Sequence, residues 1–141
     1  MIDPFHLQRF VDAQDPVFAE VRAELKRGSK QGHWMWFVFP QLKGLGHSHM
    51  AQKYGIASRG EAEAFLAHPV LGARLVDCTG LVNLVEGRTI DQILGEIDAM
   101  KFRSSMTLFA HVAGENSPFA QALEKYFQGR PDRLTLDRIQ A

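Results

Sequence analysis

In the segment Asp98–Phe109, DAMKFRSSMTLF, the residues Lys101, Ser104 and Ser105 fall at i, i+3 and i+4, one face of a helix, with Thr107 close behind. A lysine beside hydroxyls on one face can hold an anion or a sugar-like hydroxyl group, with Lys101 supplying the charge. A structural reading competes with it. Small serines let another helix approach while their hydroxyls bond back to carbonyls four residues earlier. Asp98 and Lys101 can equally form a surface pair of little worth. A nucleophilic serine needs a base aimed at it, and no spacing in the chain supplies one. The sequence therefore assigns no catalytic residue, and whether the protein is an enzyme is left undecided.

The second mixture of polar and aromatic groups is HWMWFVFPQ, His33–Gln41. It holds both tryptophans, Trp34 and Trp36, and two of the ten phenylalanines, in an unbroken apolar run from Trp34 to Pro40. Each large side chain buried there contributes roughly 1.5–3 kcal/mol, so the run is either core or an interface. Its neighbours draw His33 and Gln41 inward, where an imidazole can act as acid, base or donor near neutral pH. The alternative is that each merely satisfies a loop carbonyl. Lys43 opens the loop KGLGHS ahead of a helix start, a place attractive to phosphate or carboxylate, although the full P-loop pattern is absent. His47 and His49 form an HxH pair with no HExxH beside it, so no metal is expected. Tyr54 is either core or pocket wall. Cys78 lies on an apolar stripe and is expected to be an inert buried thiol.

The elements that must position these groups read as helices. Asp3-Pro4 and Asp15-Pro16 each have the form of a helix start, with Asp as cap and Pro at the first helical position. Gly28 closes the second helix. The aromatic run has no partner strand in the chain and is read as a short buried helix stopped by Pro40. Ser48, Ser58, Thr89 and Ser117 each open a helix, and Asp98 is read as the cap of a helix over about 99–112. Leu71, Leu75, Cys78, Val82 and Val85 mark the most regular stripe. Gly72 and Gly80 interrupt that helix at a cost in propensity, which predicts another helix crossing closely at both. A last amphipathic segment follows Pro131. The sum is an all-α fold, a single domain over residues 1–141 with about seven to nine short helices and no substantial β-sheet.

Apolar residues make up 45% of the 141 and charged residues 23%, with sixteen charges of each sign, so the net charge is zero. Phosphate-backbone binding needs a surplus of cations, so no nucleic-acid partner is expected. No apolar run reaches the roughly 18–20 residues that cross a bilayer, and nothing resembles a signal peptide. A soluble, cytoplasmic protein without a membrane partner is the expectation. The single cysteine, Cys78, excludes an intrachain disulfide.

The run HWMWFVFPQLKGLG from His33, Tyr54-Gly55, HPVLGARL from His68 and DAMKFRSSMTLF from Asp98 together resemble a bacterial domain-of-unknown-function family. Its members are small all-helical proteins, sometimes labelled calpastatin. The resemblance spans roughly residues 3 to 137 and implies an all-α fold, with no known activity, cofactor or catalytic residue. The calpastatin label does not suit this chain, whose aromatic stripes and capped helices differ from disordered, polar inhibitory segments.

Two functional expectations follow. The first is a small polar or anionic ligand, nucleotides among the candidates, in a pocket between the His33–Gln41 segment and the Lys101–Thr107 helix. His33, Trp34, Trp36, Gln41, Lys43, Tyr54, Lys101, Ser104, Ser105 and Thr107 would line it, with no cofactor. The second is a non-catalytic module that docks a partner or a second copy through an exposed aromatic run. The sequence does not set the oligomeric state.

Overall fold

The computed structural model describes residues 2–140. Among them the aromatic run forms one helical turn, α3 (Met35–Val38), because Pro40 has no amide to extend it. Trp34, Met35, Phe37, Val38 and Phe39 are buried and Trp36 is partly so. The run is core. A four-residue helix leaves carbonyls unpaired, and one is met from outside: the Gln14 amide donates to the Phe37 carbonyl at 2.7 Å. Two aromatic series start from the run. One passes from Trp34 through Phe39 and Phe102 to Phe127, with Phe39 edge-on to Phe102 at 5.0 Å. The other links Phe37, Tyr54, Phe10, Phe65, Phe109 and Phe119.

The described residues form ten helices. They are α1 (Gln8–Gln14), α2 (Phe18–Arg27), α3, α4 (His49–Lys53), α5 (Arg59–Ala67), α6 (Leu71–Leu84), α7 (Ile90–Leu94), α8 (Glu96–Ala113), α9 (Pro118–Phe127) and α10 (Arg133–Gln140). The only pairing of β type among them is one parallel bridge between Leu42 and Ile56. The fold is all-α, as expected. The eighteen-residue α8 is the spine, with α5, α7, α9 and α10 packed along it, while α6 packs on α2, α5 and α9. No single helix among the described residues is long and apolar enough to cross a membrane.

Ser48, Ser58, Thr89 and Ser117 each cap as expected, accepting from the amide three residues on. Three aspartates behave differently. Asp3 precedes a turn, and α1 begins only at Gln8, yet its carboxylate reaches forward to the amides of Leu7 at 2.8 Å and Gln8 at 3.0 Å. Those bonds hold its carboxyl below the usual range. Asp15 closes α1 and pairs with Arg74 at 2.8 Å, leaving α2 without a side-chain cap. Asp98 lies inside the first turn of α8, because Gly95 at φ 92° joins α7 to α8 with no other residue between them.

The two glycines of α6 also part company. A Cβ on Gly72 would stand 2.0 Å from the Leu66 carbonyl oxygen, so α5 does approach closely there. Gly80 has nothing within 4 Å of such a Cβ, and no crossing exists at that position. Cys78 is fully buried on the inner stripe, and burial pushes its thiol up to about 12. A thiol reagent at neutral pH should leave Cys78 unmodified in the native protein and label it once denatured. Native labelling at the rate of a free cysteine would contradict that placement.

Candidate functional site

The apolar stripe of α8 turns Phe102, Met106 and Phe109 inward, all fully buried. Ile97 and Met100 lie off that stripe and stay 72% and 71% exposed. Leu134, at the start of α10, is 64% exposed. These three, with Leu45 from the loop after the aromatic run, surround a cleft of about 270 Å³. Gln41, Lys101, Arg103, Ser104 and Asp132 supply its polar lining. The loop that forms one wall is pinned where the Lys43 amide donates to the Ile56 carbonyl and the Ile56 amide to that of Gln41, at 2.8 and 2.9 Å.

Lys101 is the cation best placed to meet a ligand. Its ammonium lies 3.8 Å from Asp98 and 5.0 Å above the Trp36 ring. Asp98 is shared, since its other oxygen is 2.8 Å from the Lys30 ammonium. Lys30 also interacts with the Glu24 carboxylate, which leaves Lys101 with only its longer contact to Asp98. Lys30 also sits 5.0 Å over the Trp34 ring, whose indole N–H donates to Glu24 at 3.0 Å. The indole N–H of Trp36 is buried with no partner.

Ser104 and Thr107 serve chiefly to seat α10. The Ser104 hydroxyl contacts the Met100 carbonyl at 3.3 Å and the Asp132 carboxylate at 3.1 Å. Thr107 donates to the Arg103 carbonyl and accepts from the Asp132 amide, both at 2.8 Å. Asp132 in turn accepts from the Thr135 amide and hydroxyl, so one aspartate caps α10 and ties it to α8. No histidine lines the cleft. Among the described residues no group of three His, Cys, Asp or Glu is placed to hold a metal.

Of the ten residues expected at the pocket, Gln41, Lys101 and Ser104 meet at the cleft. Trp36 lies against Lys101 without lining it. His33 is exposed, not drawn inward, because the buried run begins only at Trp34 and the bend before it faces solvent. Trp34 and Tyr54 are core, at 3% and 7% exposure. Ser105, one residue further round α8 than Ser104, is wholly buried with its hydroxyl unpaired. Thr107 is committed to Asp132. Lys43 lines a neighbouring cavity. Ile97, Met100, Arg103, Asp132, Leu45 and Leu134 were not anticipated. Two apolar residues three apart on the outer side of a helix with a full inner stripe are the signal that points to Ile97 and Met100.

Fold and cleft together define a small all-helical protein whose polar side chains mostly clip helices to one another. The chain belongs to a family described as a protein of unknown function, DUF1810, whose model matches residues 4–139. It is similar, at 54% identity and a TM-score of 0.97 over 99% of each chain, to a solved structure described as the conserved hypothetical protein Rv1873 from Mycobacterium tuberculosis. No curated protein matches.

Proposed function

We propose that the cleft between the Gln41–Gly46 loop, α8 and the start of α10 binds a small anionic ligand with an apolar portion. The observation that carries this is the convergence of three large, mostly exposed apolar side chains, Ile97, Met100 and Leu134, on a cleft also lined by Lys101 and Gln41. Apolar walls with a few directed polar groups are what small-molecule sites require. Lys101 takes the negative group, Gln41 orients it, and the apolar side chains cover the rest. A volume of about 270 Å³ is just under the roughly 300 Å³ at which drug-sized pockets begin. That favours an organic acid or a fragment of a nucleotide over a dinucleotide. Docking through the aromatic run has less support, since Trp36 is the one ring of the run that is not buried.

Thermal-shift screening with carboxylates, phosphates and nucleotides should find a compound that raises the melting temperature saturably. At a hundredfold excess over its Kd the gain is about 2.7 kcal/mol. Lys101→Ala should weaken that compound about tenfold, and Ile97→Ser should weaken it too. A hit that stabilises the Lys101→Ala and Ile97→Ser variants as strongly as the parent would refute this site, as would a panel without any hit. Concentration-dependent dimerisation lost in Ile97→Ser would instead assign the apolar patch to a protein contact.

A further inference from the structure

On the other side of the Gln41–Gly46 loop lies a second cavity, of about 420 Å³, whose lining differs in kind from the cleft. Three of its lining side chains are cations from three separate elements: Lys43 from the loop, Arg59 from the start of α5 and Arg138 from α10. No carboxylate is in the lining. Among the described residues the Lys43 ammonium makes no hydrogen bond or ion pair, and Arg138 has one long contact, 3.5 Å to the Gly44 carbonyl. Its guanidinium lies close over the Gly44 backbone, where a Cβ would stand 2.8 Å from it. Arg59 has one carboxylate neighbour, Glu63 at 3.3 Å, and pairs with His111 at 2.9 Å. The nearest buried acid on α5, Glu61, is already balanced by Arg9 at 2.8 Å. Three cationic residues thus border one space, and among the described residues only Arg59 has a carboxylate within 4 Å, in a chain whose net charge is zero.

We infer that this cavity binds a phosphoryl group through Lys43, Arg59 and Arg138. A phosphate offers oxygens in several directions, which matches cations arriving from three sides better than a planar carboxylate does. Arginine pairs with such oxygens in a forked geometry and lysine acts as a point charge. Ala57 and Ser58 also line the cavity; the Ser58 hydroxyl accepts from the Glu61 amide and the Ala57 amide donates to the Glu61 carboxylate. Arg59, which lines the cavity, stands in the first turn of α5, where its amide has no acceptor within the helix. Inorganic phosphate, pyrophosphate and the phosphate of a small ester share this chemistry.

Titration calorimetry at fixed ionic strength should detect saturable binding of pyrophosphate, and amide shifts in a proton–nitrogen spectrum should centre on Ser58 and Arg59, which line the cavity. The order of affinity among inorganic phosphate, pyrophosphate and a sugar phosphate identifies the source of the group. A Lys43→Ala/Arg138→Ala double variant should bind at least about tenfold more weakly. A control that removes two exposed cations from α2, Lys26→Ala/Arg27→Ala, should bind as the parent does. Both pairs are on the surface, so both variants should melt like the parent in buffer without phosphate. Equal loss in the two double variants would reduce the effect to general charge attraction and overturn the inference. Absence of saturation by about 10 mM would overturn it as well.

Discussion

Replacing Gly72 with alanine should cost the protein about 3 kcal/mol, near the upper end of what overpacking does. The added carbon would stand 2.0 Å from the Leu66 carbonyl oxygen and 2.9 Å from its carbon, both backbone atoms that cannot swing aside. α5 and α6 would have to separate, and with them Phe65 and Leu71, both fully buried. In a protein of this size that is a fall of about 10 °C in melting temperature. Gly80→Ala, eight residues along the same helix, should do the opposite. With nothing within 4 Å of the new carbon, only the helix propensity changes, and stability should rise by about 0.5–1 kcal/mol. Paired melting curves decide it. Equal effects from the two substitutions would mean that the α5–α6 contact is not as close as the structure has it.

Glu24→Ala should cost a comparable amount, about 3 kcal/mol. Glu24 is 8% exposed, and one of its oxygens accepts from the amides of Gln31 at 2.7 Å and Gly32 at 2.9 Å and from the Trp34 indole at 3.0 Å. Truncation strands three donors at the entrance to the aromatic run, one of them the buried Trp34 indole. Glu24→Gln keeps an acceptor without the charge and should lose about half as much. The difference depends on pH. Burial opposes the charged form, but the Gly32 and Gln31 amides, the Trp34 indole and the Lys30 ammonium outweigh it and hold the carboxyl below its ordinary 4.5. A carboxyl depressed in the folded state contributes stability above its unfolded value and loses it as pH falls through the folded one. The gap between parent and Glu24→Gln should therefore be constant above about pH 6 and narrow as acidity increases below 4.5. A gap that widens in acid would show that the carboxyl is raised, not lowered.

What the sequence shows well is what local chemistry decides. The caps at Ser48, Ser58, Thr89 and Ser117 depend on an amide three residues away, and the stripe Leu71, Leu75, Cys78, Val82 depends on helix period alone. Position in space is another matter. Propensity states what Gly72 and Gly80 cost but not which of them has a neighbour. Helical spacing puts Lys101, Ser104 and Ser105 on one side, yet the step from 104 to 105 carries a hydroxyl from the cleft edge into the core. The contacts that fix the site are far apart in the chain. Asp132 bonds Ser104 and Thr107, 28 and 25 residues away. Arg9 donates to the Lys53 and Gly55 carbonyls and to Glu61, and Gln14 to Phe37. No window of sequence holds both ends of such a bond.

The joint at Gly95 has a mechanical consequence. With a lone residue between α7 and α8, there is no slack chain to absorb a shift of one against the other. α7 is itself anchored to the segment that leads into the tryptophans: the Lys30 amide donates to the Ile93 carbonyl at 2.8 Å, and Arg88 bridges the Gly28 and Gln92 carbonyls, each at 2.9 Å. Ile97, Met100 and Lys101 therefore ride on a beam clamped at its root. A molecule gripped by them would press on the whole body, so its presence should register in global unfolding and not in the fraying of one edge.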